Sequence, residues 1–340
     1  MKIPGNMMQK SKKILVTGGA GYIGAYVNKL LQLEGYDTVV LDNLYSGERN
    51  SVHKGFFIEG DFGDEFLMNQ IFSDHRIDGV MHFAAYTSVG ESYLNPMKYY
   101  ANNVSNTISL LNTMIKNGVN HFVFSSSAAV FGIPLVCPIK ESAVMMPINP
   151  YGETKKIIEK ILRDYRTAYG LSSSSLRYFN AAGGDPAEEI IAKRTHVHNL
   201  IPIAFRSILN NTPLTIYGTD YETNDGTCIR DYIHVHDIAT AHILALEQIF
   251  ENPGCTDYNL GIGKGFSVKE VIDVVEKVTG HVVPYQIGPR RQGDPPILIA
   301  GSEKAQKNLG WNPLYTDLES MVAHTWNTTV REELFSELSG

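Results

Sequence analysis

The sequence predicts an α/β protein built on a doubly wound parallel sheet, with a smaller mixed α/β lobe beside it. Three observations carry this. Short β-branched runs alternate with longer helix-period segments through the first half, the pattern of β-α-β units on a parallel sheet. A glycine-rich turn joins the first run to the first helix, at residues 17–24. After Asn180 the regularity decays into loops rich in Gly, Asn, Asp and Pro at 181–188, 218–227 and 288–296. The expected strands are 13–17, 38–42, 55–59, 79–83, 121–125 and 173–177. Helices are expected between them at 22–34, 65–74, 96–117 and 150–169. A strand at 256–260 and a helix at 267–279 suggest that late segments return to the first lobe. The 340 residues exceed one typical domain and fall short of three, so two lobes around one cleft are expected. The expected division is a tail at 1–12, a Rossmann-type domain at 13–180, and a mainly substrate-binding lobe at 181–340.

Composition excludes several classes. With 43% hydrophobic and 19% charged residues the chain reads as an ordinary globular protein. No run of 18 apolar residues is present, so no membrane span is expected, and a cytoplasmic location follows as an expectation. Residues 3–8 are too short and broken for the apolar run of a signal peptide. A net charge of −7 leaves no general basic field for nucleic acid, so any phosphate partner must be gripped by local arginines. The three cysteines (Cys137, Cys228, Cys255) lack metal spacing and read as reduced, buried thiols. Among eleven histidines, His196/His198 and His234/His236 are two residues apart, but no third ligand pattern accompanies either pair, so no metal is expected.

Thr17-Gly18-Gly19-Ala20-Gly21-Tyr22-Ile23-Gly24 follows the first strand and opens the first helix, the context a dinucleotide site requires. Glycines let backbone N–H groups approach a pyrophosphate, and the helix N-terminus adds partial positive charge. Bulk at Gly21 should block this. Asp42 ends the second strand, 18 positions past Gly24, where its carboxylate can accept from ribose hydroxyls. A 2′-phosphate would meet like charge there, and Asn43 and Leu44 offer no compensating arginine, which favours NAD over NADP. Asp61, after the third strand, reads as an adenine contact or as a strand-end cap.

Ser125, Ser126 and Ser127 close the fifth strand, where doubly wound sheets place ligands. Tyr151 and Lys155 lie at i and i+4 on the helix that follows, hence on one face. Free tyrosine titrates near pH ~10, and a neighbouring ammonium, helped by the positive charge of an oxidised nicotinamide, is expected to bring it down toward a useful base. Ser127, Tyr151 and Lys155 together would hold a substrate hydroxyl, move its proton and align it for hydride transfer.

With these residues in place the chain resembles the extended branch of the short-chain dehydrogenase/reductase superfamily, and within it the UDP-glucose 4-epimerase family. The motifs that carry the resemblance run across nearly the whole chain: TGGAGYIG at 17–24, LDN at 41–43, EGD at 59–61, HFAA at 82–85, VGES at 89–92, NNV at 102–104, FSSSAAVFG at 124–132, PYGETK at 150–155, LRYFNAAG at 176–183, DGTCIRDYIHVHD at 225–237 and RRQGDP at 290–295. The resemblance implies Ser127 and Tyr151 as proton handlers and Lys155 as the group that holds cofactor ribose and tunes Tyr151. On the cofactor side it implies Gly18, Gly21, Tyr22, Ile23, Gly24, Asp42, Asn43, Asp61, Phe62, Phe83, Ala84, Ala85, Asn103, Ser125 and Tyr178. For a UDP-sugar it implies Phe179, Asn180, Asn199, Leu200, Tyr217, Arg230, Tyr232, Arg291, Asp294 and Leu298. Arginine's planar fork suits pyrophosphate, Asp294 can accept from ribose, and Tyr217 offers an aromatic face. Arg290 reads instead as an outer salt-bridge partner.

Relatives that eliminate water carry an Asp-Glu or Ser-Glu pair after the strand-end Ser or Thr; here stand Ala128 and Ala129. The 4-keto sugar is therefore expected to take its hydride back on the opposite face, with zero net redox and NAD retained. Two departures from the family pattern stand out. Thr87 occupies the place of a lysine near the cofactor phosphates, and Leu298 occupies the position that gates sugar size. Two other readings stay open: a 4-epimerase of another UDP sugar (N-acetylhexosamine, xylose/arabinose or uronic acid) and a non-catalytic NAD(H)-binding sensor. The resemblance also implies a homodimer, with helices 96–117 and 150–169 as candidates for its interface.

Overall fold

A computed structural model describes residues 12–190, 199–291 and 293–338, the last stretch from 330 as backbone only. His196, His198 and most of the 1–12 tail lie outside the described residues. In chain order the strands are β1 (Lys13–Thr17), β2 (Asp37–Asp42), β3 (Phe56–Glu59), β4 (Gly79–His82), β5 (His121–Ser127), β6 (Ser172–Tyr178), β7 (Asn180–Ala182), β8 (Leu214–Tyr217), β9 (Ile229–His234), β10 (Cys255–Leu260), β11 (Gly265–Ser267), β12 (Tyr285–Gly288) and β13 (Ile297–Leu298). The helices are α1 (Tyr22–Leu33), α2 (Glu65–Asp74), α3 (Val89–Leu94), α4 (Pro96–Tyr100), α5 (Thr107–Lys116), α6 (Pro150–Tyr169), α7 (Leu200–Asn210), α8 (Val235–Glu251), α9 (Val268–Thr279), α10 (Glu303–Leu309) and α11 (Leu318–Leu338).

Among the described residues, seven parallel strands form the main sheet in the order β10-β6-β5-β4-β1-β2-β3. Strand direction reverses its walk on either side of β1 and β4, which opens a crevice beyond their carboxyl ends. Alternate side chains face opposite layers. Ile14 and Val16 pack under α1 and α8, while Leu15 packs with Phe122 and Phe124 under α2, α5 and α6. Both faces are therefore buried, as a parallel sheet requires. Late segments do return: β10 forms an edge of this sheet and α8 packs on α1. In the second lobe β9 pairs with β7, β11 and β13, and β8 pairs with β12, over a separate core around Phe205, Val271 and Met321.

Local chemistry sets the ends of the key helix. Asn149 caps α6 by accepting from the Gly152 N–H at 2.7 Å, Pro150 pre-sets the first turn, and Gly170 closes it in the left-handed region at φ 75°. The expected single helix over 96–117 is broken instead: a π-type turn over Ala101–Asn106 separates α4 from α5. Its wider i to i+5 spacing rotates the side chains that follow relative to an unbroken helix. The three cysteines are free, as expected, but half-buried rather than buried. No helix among the described residues is long and apolar enough to cross a membrane, and no metal-ligating cluster occurs among them.

Candidate active site

One cavity of about 550 Å³ runs along the carboxyl ends of the main sheet and opens toward the second lobe. Its floor is the glycine turn. Gly18 has φ 71°, and a Cβ there would lie 2.5 Å from the Ala84 amide nitrogen. A Cβ on Gly24 would meet the Gly18 carbonyl at 2.2 Å, so helix and turn touch backbone to backbone. At Gly21 the added carbon would meet only the Gly18 carbonyl at 3.3 Å, so Gly21 keeps the cavity side open rather than a packed contact. Gly21 is the residue before α1 and supplies no side-chain cap, and no acid stands in the first turn. The N–H groups of this terminus are thus left for an anion.

Asp42 reaches the same end. It lines the cavity, and its two oxygens accept from the Ala20 N–H at 2.9 Å and the Leu44 N–H at 2.8 Å. Burial raises this carboxyl while those N–H groups hold it back, and each oxygen keeps a lone pair for a ribose hydroxyl. Backbone cradle, uncapped helix and carboxylate together fit the adenosine diphosphate half of NAD.

The chemistry sits at the other end of β5. Alternation splits the serine run: Ser125 and Ser127 line the cavity, and Ser126 points away to donate to Glu159 at 2.6 Å. Glu159 is fully buried and pairs with buried Arg177 through two bonds of 2.9 and 2.6 Å. This fork ties α6 to β6. One turn above Glu159, Lys155 donates to the Ser125 carbonyl at 2.7 Å; one turn further, Tyr151 lines the cavity beside Ser127. The Lys155 ammonium lies 4.8 Å from the centre of the Phe124 ring and 5.8 Å from that of Tyr151.

Electrostatics correct one expectation. Burial pushes the Tyr151 phenol up, with a Ser127 hydrogen bond pulling part of the way back, and burial brings Lys155 down to about 7 against the opposing charge of Glu159. Desolvation outweighs the cation in this apolar wall, so Lys155 alone does not make Tyr151 a phenolate. Lys155 is thereby brought close to a proton-exchanging state, while Tyr151 on its own rests as the neutral phenol. His82, beneath them, is held neutral at about 3 by burial and by the Lys155 charge, and bridges the hydroxyls of Thr17 and Thr107.

The cavity gathers most of the sequence-predicted set. Gly18, Gly21, Tyr22, Ile23, Gly24, Asp42, Asn43, Phe62, Phe83, Ala84 and Ala85 line the cofactor end; Tyr178, Phe179, Asn180 and Asn199 line the end toward the second lobe. Tyr178 bonds Ser125 at 2.5 Å. Thr87 lines it too.

Two cofactor-side residues do not reach the wall. Asn103 lies behind it, exchanging hydrogen bonds with both the Tyr86 N–H and carbonyl at 2.9 Å, and Asn102 takes the lining position. Both asparagines lie in the π-type turn. Asp61 accepts from the Gly63 N–H at 2.8 Å and the Asn43 amide at 3.0 Å, which caps the strand end and, as at Asp42, leaves a lone pair on the oxygen that faces Asn43.

The remaining UDP-side residues cluster outside the cavity wall on the second lobe. Asn180 of β7 pairs with Tyr232 of β9, and Arg230 of β9 pairs with Leu298 of β13, so one small sheet links the cavity edge to this cluster. Arg230 is ion-paired with Asp294, and the Arg291 guanidinium lies 4.0 Å over the Tyr217 ring. Leu298 packs with Phe179, Val130 and Phe131. Leu200 opens α7 and packs against the second core; Tyr232 is buried within that core beside Phe266, a structural place rather than a contact surface. Arg290 pairs with Asp220 at 2.7 Å on the outside, as expected. Sequence reading missed Tyr45, Ser46, Tyr86, Ser88 and Glu91 in the wall, since nothing in their spacing marks the loops that fold over the glycine turn.

Residues 14–261 match the model of the NAD dependent epimerase/dehydratase family. The chain is 51% identical to the UDP-glucose 4-epimerase of Halalkalibacterium halodurans over 315 residues, covering 92% of this chain and 94% of that one. Among solved structures it resembles the UDP-glucose 4-epimerase of Brucella ovis in complex with NAD, with TM-score 0.90 and 44% identity over 92% of this chain and 97% of the other. The Bifidobacterium longum UDP-glucose 4-epimerase in complex with NAD+ and UDP gives TM-score 0.89 and 38% identity over 94% and 98% of the two chains. The matched family model, the identity over nearly the whole chain and the shared backbone agree, and the chain belongs to the NAD dependent epimerase/dehydratase family, among its UDP-glucose 4-epimerases.

Proposed function

We infer that this chain catalyses the reversible C4 epimerisation of UDP-galactose and UDP-glucose through a transient 4-keto sugar, with NAD held throughout the cycle. One observation carries the reading: Ser127, Tyr151 and Lys155 share a cavity with the dinucleotide cradle, while Ala128 and Ala129 stand beside Ser127 where an eliminating enzyme needs acid/base groups. The cradle of Gly18, Gly24 and Asp42 would hold NAD, which would supply the acceptor and donor for the C4 hydride.

As phenolate, the form that Lys155 and the positive charge of an oxidised nicotinamide would favour together, Tyr151 takes the proton of the C4 hydroxyl and gives it back once the carbon has regained its hydride, and Ser127 holds that oxygen in line. Lys155, fixed by the Ser125 carbonyl, orients the cofactor ribose and steadies the phenolate form of Tyr151. Arg230, Arg291 and Asp294 grip the UDP part, so the keto sugar can turn over while its anchor stays bound. Phe179 and Leu298 pack together at the sugar end.

We place the NAD-binding part at 13–180 and the UDP-sugar part mainly at 181–340. We further propose a cytoplasmic homodimer joined through helices over 96–117 and 150–169; exposed Tyr93, Leu94 and Met97 beside them support this. A monomeric mass in light scattering would contradict it, as would recovery of the native protein in an extracellular fraction.

The test of function is conversion of UDP-galactose to UDP-glucose by purified protein with no nucleotide added. Turnover supports epimerisation with retained NAD. Absence of turnover with NAD supplied, together with turnover of an N-acetylated or pentose UDP sugar, moves the substrate; absence with every UDP sugar leaves a binding role.

A further inference from the structure

Among the described residues lining the cavity, Lys155 is the only cation, and it is committed to the Ser125 carbonyl at the chemical end. The wall near the glycine turn carries the opposite sign, from Asp42 and Glu91. A dinucleotide's diphosphate placed over that turn is itself an anion, so an uncompensated Glu91 would repel it.

Two loops that follow β2 and β4 close this end. A Cβ on Gly47 would lie 2.6 Å from the Ala20 backbone, and Gly18 abuts Ala84, so both loops lie directly against the glycine turn. One side chain on α4 links them. Lys98 donates to Glu91 at 2.5 Å and to the Tyr45 hydroxyl at 2.9 Å, and its ammonium lies 4.2 Å from the centre of the Tyr86 ring. The other Glu91 oxygen accepts from Tyr99 at 2.9 Å, and the Tyr45 and Tyr86 rings meet edge-on at 4.9 Å. Lys98 is 22% exposed, well placed to interact through a partly dry environment.

Resting on the NAD reading above, we propose that Lys98 is a cofactor-positioning cation: it neutralises Glu91 and pins Tyr45 and Tyr86 as the two sides of the mouth over the NAD diphosphate. Lys98 acts through these three lining residues and takes no part in proton or hydride movement. The role is one of retention, matching a cycle that needs its cofactor to stay bound.

The test compares native protein, Lys98→Met and the double variant Lys98→Met/Glu91→Gln. Each is scored for NAD released on denaturation of the purified holoenzyme, for NAD affinity after stripping, and for UDP-galactose KM at saturating NAD. In Lys98→Met, NAD content is expected to fall and NAD Kd to rise on the order of tenfold, the factor that ~1.4 kcal/mol produces. KM for the sugar nucleotide is expected to stay unchanged. Removing the Glu91 charge in the double variant is expected to recover most of the retention. Native-like NAD retention in Lys98→Met overturns the proposal, and so does a loss that the double variant fails to recover. A native chain that neither carries nor binds NAD overturns the cofactor reading itself, and that result is read before either variant.

Discussion

The cofactor end and the sugar-nucleotide lobe hold their polar groups in opposite ways. At the cofactor end they are fixed by backbone and by burial: Asp42 by two N–H groups, Lys155 by a carbonyl, and α6 by the Glu159–Arg177 fork. In the second lobe the recognition groups are satisfied by one another, Arg230 by Asp294 and Arg291 by the Tyr217 ring. The first region is pre-organised for one geometry; the second must exchange internal pairs for ligand pairs. An enzyme that keeps its cofactor and releases its substrate needs this division.

The largest effect should come from breaking the chemistry of the fixed region while leaving its binding intact. Tyr151→Phe is expected to lower kcat by roughly 10²–10⁴-fold, the usual range for losing a general acid/base, while NAD content stays native. Steady-state turnover and NAD quantification check it; full turnover would remove Tyr151 from the mechanism.

Next, Arg230→Ala leaves Asp294 without its partner and removes a charge-assisted grip on UDP. Losing such a bond costs about 1.5–3 kcal/mol, so UDP-sugar binding should weaken roughly 10–100-fold, measured by calorimetry. NAD binding should not move. Equal losses for both ligands would erase the contrast between the two regions.

Smaller in energy but sharper in place is Gly18→Ala. A methyl group at positive φ, against the Ala84 backbone, should cost more than about 1 kcal/mol of stability and loosen NAD. A thermal melt and an NAD titration test both.

Furthest from the chemistry is a pH slope. Burial depresses His242, whose ring lies tilted against Phe83 at 4.8 Å, to about 4 from an ordinary value near 6.5. A group whose folded pKa is depressed contributes stability above its unfolded pKa and loses it as pH falls toward the folded one. Between about pH 6.5 and about pH 4 His242 should therefore cost roughly 1.4 kcal/mol per pH unit. Urea midpoints across this window should slope less steeply in His242→Phe; an unchanged slope would contradict the assignment.

Legibility in the sequence followed the same division. The glycine turn, Asp42 and the Tyr151/Lys155 pair were readable because each rests on local spacing within one strand-turn-helix unit or one helical turn. Arg230 and Asp294 are 64 residues apart, and their pairing is made by the small sheet, which no local periodicity announces. Asn102 lines the cavity where Asn103 was expected, because Asn103 turns to the Tyr86 backbone, a tertiary contact that neighbouring asparagines in sequence do not announce. The depression of Lys155 was also hidden: a neighbouring cation is visible in sequence, whereas the depth of burial that outweighs it is a tertiary property.

The central claim is that the hydride taken from C4 returns to C4 of the same sugar. Purified protein given UDP-galactose deuterated at C4, with no nucleotide added, tests this directly by mass spectrometry and NMR of the product. Full retention of deuterium at C4 of UDP-glucose is the expected result. Loss of the label to solvent would contradict it, as would, in a parallel reaction with NAD added, consumption of that NAD in proportion to product.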